Sequence, residues 1–71
     1  MYEKIIAKLI ALDETIEYLE GQRETEDNVE SRERYTRRLI EARAEKHGML
    51  KALELMGLEV KTTGETGYTI G

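Results

Sequence analysis

YEKIIAKLIALDETIEYL, residues 2–19, decides how this chain is read. Its apolar residues Tyr2, Ile5, Leu9, Leu12, Ile16 and Leu19 recur at alternating steps of three and four. That is the a/d stripe of a heptad, the pattern of a helix whose narrow apolar seam packs on a second helix. A matching stripe follows in YTRRLIEARAEKHGMLKALELM, residues 35–56, through Tyr35, Leu39, Ala42, Met49, Leu53 and Met56, broken only by Lys46. The polar run ETEDNVES lies between the two and ends in Ser31, a residue type that caps helix N-termini. Gly57 follows the second stripe where a C′ glycine belongs, with Leu58 placed for the accompanying apolar contact.

The two stripes fit one antiparallel register. If facing positions sum to a constant, then Tyr2 meets Met56, Ile5 meets Leu53, Leu9 meets Met49, Ile16 meets Ala42 and Leu19 meets Leu39. The turn then falls inside the polar run, and each helix spans about 25 residues, roughly 37 Å. Leu12 faces Lys46, whose alkyl stem can lie along the seam while its ammonium reaches outward. Arg23 faces Tyr35, a geometry for a cation–π contact. Glu30 with Arg34 and Glu33 with Arg37 have i,i+4 spacing for helix-surface pairs. Gly21 and Gly48 fall at outward positions, and the missing Cβ of Gly48 leaves room for another backbone.

Beside the seam, Ile6 and Ile10 of the first helix and Ile40, His47 and Leu50 of the second share one flank, an apolar shoulder. Farther along it, Asp13 is expected to meet Arg43. Two things can cover such a shoulder. One is the tail KTTGETGYTIG, residues 61–71, which with Leu58 and Val60 alternates apolar and polar residues around turn glycines. It reads as a β-hairpin with Val60 opposite Ile70, Thr62 opposite Tyr68, and Tyr68 and Ile70 facing inward. An isolated hairpin is marginal in water and must pack on something. The other cover is the shoulder of a second copy, which would make a four-helix bundle by two-fold symmetry.

The expected fold is therefore mainly α: an antiparallel two-helix coiled-coil hairpin followed by a short C-terminal β-hairpin, completed as a homodimer. The expected layout is one domain over 1–71, with helix 1 at about 2–26, the turn at 27–31, helix 2 at about 32–56 and the β-hairpin at 58–71. Seventy-one residues bury a thin core, and the absence of cysteine leaves helix packing or association to stabilise it. No stretch is apolar enough to span a membrane and no signal-peptide pattern opens the chain, so a cytoplasmic location is expected. In general type, a tiny, acidic, helix-rich chain resembles many small phage and mobile-element proteins, a likeness that transfers no residue roles.

Charge is distributed unevenly. Residues 1–31 hold three bases against nine acids, −6, and residues 32–47 hold six against three, +3. Opposite signs on successive helices suit a self-complementary hairpin. His47 is the single histidine and has no nucleophile or acid one turn away on its face, so no catalytic residue is expected. Ala44 stands three residues before it, where a di-metal bundle would need glutamate, so no metal or cofactor is expected either. The glycines of TTGETGYTIG lack the Lys-Ser/Thr of a phosphate loop.

What remains is a non-enzymatic protein-interaction module, with itself and an unidentified protein as partners. Its expected contact residues are Ile6, Ile10, Ile40, His47, Leu50, Tyr68 and Ile70, through the shoulder or the hairpin edge. An alternative is a small acidic regulator that occludes a basic, nucleic-acid-handling surface with Glu14, Glu17, Glu20 and Glu24. A third, disfavoured by the acidic pI of about 5.0, is nucleic-acid contact through Arg32, Arg34, Tyr35, Arg37 and Arg38.

Overall fold

The computed structural model describes residues 2–64 and 67–71. Helix α1 runs Glu3–Thr25, helix α2 runs Val29–Leu55, and strands β1 (Val60–Thr63) and β2 (Gly67–Ile70) form an antiparallel two-stranded sheet. The two helices pack as an antiparallel hairpin, with β2 against α1 and β1 against α2. The result is an elongated body of 43 × 23 × 15 Å.

The seam is the one the heptad stripes describe. Leu9, Leu12 and Leu19 of α1 and Leu39, Ala42 and Leu53 of α2 are buried, with Leu9 and Leu39 fully enclosed. Each such leucine contributes about 1.5–3 kcal/mol by leaving water, which explains why a stripe this narrow specifies the pairing. The outermost expected layer does not form: Met56 is 70% exposed while Tyr2 is half-buried. Met56 is the C-cap, where the chain leaves the helical path, so its side chain no longer follows the stripe.

The turn between the helices is shorter than expected, and α2 begins three residues before the position Ser31 would set. Asn28 is the cap instead. Its extended backbone lets Oδ1 accept from the Ser31 amide at 3.2 Å, placing Val29 and Glu30 in the first turn. Glu26 supports this from both ends of its residue. Its carboxylate accepts from the Asn28 amide at 3.0 Å, and its carbonyl accepts from the Arg32 guanidinium at 2.8 and 3.2 Å.

At the far end α2 closes as expected. Gly57 has φ +79°, its amide donates to Glu54, and the Leu58 amide donates to Leu53, the paired bonds of a Schellman motif. The strand register is also as expected, with Val60 opposite Ile70 and Thr62 opposite Tyr68. Gly67 has a steric reason: a Cβ there would lie 2.9 Å from the Thr63 carbonyl oxygen. The tip of the expected turn, Glu65 and Thr66, lies outside the described residues. Among the described residues nothing lies within 4 Å of where a Cβ would stand on Gly48 or Gly21, so neither is closely approached from within the chain.

Candidate functional site

The C-terminal hairpin and the helical flank beneath it bring together side chains distant in sequence. Tyr68 is buried, and its hydroxyl donates to the Asp13 carboxylate, joining residues 55 apart in sequence. Asp13 lies one turn beyond Ile10 on the flank that Ile6 begins, so this bond ties β2 down onto the shoulder. Lys46 completes the group: its ammonium is 2.6 Å from Asp13 and 5.8 Å from the centre of the Tyr68 ring. Ile6, Ile10 and Leu50 are half-buried, as is Ile70 on the strand. The inward-facing Tyr68 and Ile70 are placed as the alternation of the tail implied.

The electrostatics of the three groups are mutual. Burial pushes the Asp13 carboxyl up, but hydrogen bonds from Lys46 and Tyr68 and the Lys46 charge outweigh it and hold it below its ordinary value. The Asp13 hydrogen bond raises Lys46 against the opposing effect of burial. Burial, and then the bond to Asp13, raises Tyr68. Each group is thus favoured in the state the latch needs: carboxylate, ammonium and neutral phenol.

One expected pair on this flank is corrected and the surroundings of three other residues are defined. Asp13 does not meet Arg43, which instead pairs with Glu20 at 2.5 Å. Lys46 lies 2.6 Å from Asp13, so its ammonium finds a carboxylate as well as solvent. Ile40 is 62% exposed and His47 is exposed, because neither falls under the hairpin. Arg23 lines a cleft with Glu20, Glu24, Arg32 and Arg43 and Tyr35 lines another, and the two make no cation–π contact. Among the described residues the cation–π contact is that of Lys46 with Tyr68. Neither Glu30–Arg34 nor Glu33–Arg37 forms an ion pair among the described residues; Lys8 of α1 pairs with Glu45 of α2 at 3.3 Å.

The other two residue sets lie on α1 and α2 and each divides by its contacts. Glu14, Glu17 and Glu24 are exposed and make no ion pair among the described residues, whereas Glu20 is bound to Arg43. The arginine cluster divides: Arg32 braces the turn, Arg37 lines neither cleft, and Arg34, Tyr35 and Arg38 share a cleft with Ser31. No three His, Asp or Glu side chains among the described residues gather as metal ligands, and no helix is long and apolar enough to cross a membrane.

The backbone of the hairpin supplies a feature that residue types alone do not reveal. Glu59 and Gly71 exchange both amide–carbonyl bonds, at 2.8 and 3.0 Å. In an antiparallel ladder such pairs alternate with pairs whose backbone groups point away. Lys61–Thr69 and Thr63–Gly67 are therefore bonded pairs, while Val60 and Thr62 direct their amides and carbonyls outward from β1. Val60 is half-buried and Lys61, Thr62 and Thr63 are exposed, so β1 is the more open edge, at Thr62 above all; on β2 the corresponding groups belong to buried Tyr68 and half-buried Ile70. No protein family, curated protein or solved structure matches this chain.

Proposed function

We propose that this chain is a non-enzymatic protein-interaction module in which the helical hairpin holds a small β-hairpin steady and the β1 edge accepts an extended strand from a partner protein. The observation that carries this reading is the pair of outward-directed backbone units at half-buried Val60 and exposed Thr62 on β1. Unpaired edges are templates for strand addition, and main-chain hydrogen bonds supply the affinity. Helical support matters because a two-stranded hairpin by itself is too weak to hold its edge in place.

The test uses proline as an edge probe. Thr62→Pro removes an outward amide and leaves the internal ladder intact, so the fold stays and partner capture is lost. Lys61→Pro removes a ladder amide and serves as the destabilised control. Capture by Thr62→Pro at the level of the parent protein sinks the edge reading.

The same edge suits a second copy, two β1 strands pairing antiparallel into a four-stranded sheet about a two-fold axis. The alternative homodimer, a four-helix bundle, would bury the exposed Ile40. Sedimentation separates them: loss of dimer in Thr62→Pro supports the edge, and loss in Ile40→Glu supports the bundle. A second function, occlusion of a basic nucleic-acid-handling surface, is supported by the exposed carboxylates of Glu14, Glu17 and Glu24, which make no ion pair among the described residues. It predicts partner capture that falls steeply with salt and with their replacement by glutamine.

A further inference from the structure

Ser31, Arg34, Tyr35 and Arg38 line one cleft of about 240 Å³ at the turn end of α2. Their spacing of i, i+3, i+4 and i+7 is that of a single helical face. All four side chains carry hydrogen-bond donors: two guanidiniums, a phenol and a hydroxyl. No carboxylate lines the cleft. Ser31 and Tyr35 are half-buried, so the floor of the cleft is part of the packed helix pair.

Six of the eleven lysines and arginines are engaged with acceptors; of the other five, Lys4, Arg23, Arg34, Arg37 and Arg38, it is Arg34 and Arg38 that share a cleft without a carboxylate, whereas Arg23 sits beside Glu20 and Glu24. Arg32 is spent on the Glu26 carbonyl and Arg43 on Glu20, while Lys8, Lys46, Lys51 and Lys61 each lie within 4.0 Å of a carboxylate. Arg34 and Arg38 have no ion pair or hydrogen bond among the described residues. Glu30 stands one turn before Arg34, yet the two do not pair. Two guanidinium forks without a partner among the described residues, joined by two hydroxyls in one cleft, form a donor set that complements an oxyanion.

We propose that this cleft binds the phosphate group of a phosphate monoester, with Arg34 and Arg38 supplying charge and the Ser31 and Tyr35 hydroxyls completing the donor set. A compact dianion fits better than a nucleic-acid strand. The cleft is short, and Glu24, Glu26, Asp27, Glu30 and Glu33 surround that end of the molecule with negative charge. A chain of phosphates would run from the cleft into these acids. A carboxylate, with two oxygens and a single charge, would use only part of the donor set.

The experiment titrates the whole chain with phenyl phosphate, following amide shifts by NMR and heat by calorimetry, with benzoate at matched ionic strength as the carboxylate control. Saturable shifts confined to the Ser31–Arg38 turns are expected, with phenyl phosphate at least about tenfold tighter than benzoate. Arg34→Gln and Arg38→Gln should each weaken phenyl phosphate several-fold, and Arg37→Gln should not. Unchanged thermal melting of the variants keeps the comparison free of folding effects. Equal response to benzoate, or equal loss in Arg37→Gln, overturns the proposal in favour of diffuse surface charge. Tighter binding of a short single-stranded DNA, with a salt slope of several phosphates, overturns it in favour of a nucleic-acid backbone.

Discussion

Tyr68→Phe isolates the bond that fastens the hairpin to the helices. The ring is buried and stays in place, so the substitution removes only the hydroxyl that donates to Asp13. Hydrogen bonds to charged groups contribute about 1.5–3 kcal/mol. The Asp13 side chain is 40% exposed and keeps Lys46, so water replaces part of what is lost. Screening of this kind brings the expected cost to about 1 kcal/mol, or a melting temperature lower by roughly 4–8 °C for a domain of this size. Tyr68→Ala removes the ring as well. Aromatic truncations in full cores cost about 3–5 kcal/mol, and the thin cover here puts this one at the lower end.

The assay is urea unfolding followed by the helical circular-dichroism signal, for Tyr68→Phe, Asp13→Ala and the double variant. Reading a strand residue through the helical signal asks whether hairpin and helices unfold as one unit. A coupling energy of about 1 kcal/mol between the two positions is expected. Additivity within about 0.3 kcal/mol refutes the latch, and an unchanged urea midpoint in Tyr68→Ala refutes the packing of the hairpin altogether.

The latch also sets a pH window. Asp13 is depressed below 3.8, so its contribution is present above that value and is lost as pH falls through the lower folded one. Tyr68 and Lys46 are raised above 10.0 and 10.5, so theirs is present below those values and is lost as pH rises past the folded ones. Urea midpoints should form a plateau with a decline on each side; an acid limb of the same depth in Asp13→Asn would remove Asp13 from the account. Ile70→Asp places a charge on the half-buried face of β2 and should cost about 1–2 kcal/mol, whereas an unchanged melting temperature would mean the strand is undocked. The glycines should respond in opposite directions: Gly48→Ala stabilises by up to about 1 kcal/mol on an open helical surface, and Gly57→Ala destabilises by about as much at φ +79°. Differential scanning calorimetry reads both, and equal signs would contradict the assigned backbone roles.

The helical hairpin was legible because burial and periodicity are coupled directly. Leu9, Leu12, Leu19, Leu39 and Leu53 have to share a seam if they are to leave water, and one register satisfies them all. The strand register was legible for a similar reason, since Val60, Tyr68 and Ile70 alternate with polar neighbours about turn glycines. The helix start was misplaced because Ser31 and Asn28 are both good caps, and the bond from the Ser31 amide to Asn28 decides between them.

The latch was only half visible. Lys46 stood out as a charge in the seam and Asp13 as an acid at the end of the shoulder. Their meeting with Tyr68 depends on the angle at which the hairpin crosses the helices, which no helical or strand period encodes. Ile40 and His47 were grouped with the shoulder by face alone, and face does not say how far along it a short hairpin reaches. The open edge required the parity of the ladder, which is set by the Glu59–Gly71 bonds.

Amide hydrogen exchange across residues 59–71 tests the central claim most directly, that a docked hairpin carries an open β1 edge. The account predicts alternation: Lys61 and Thr69 protected by the ladder, Val60 and Thr62 exchanging fast from the exposed edge. Uniformly fast exchange along the tail would show that the hairpin is not held on the helices. Protection of the Val60 and Thr62 amides in the monomer would show that β1 has no free edge to offer.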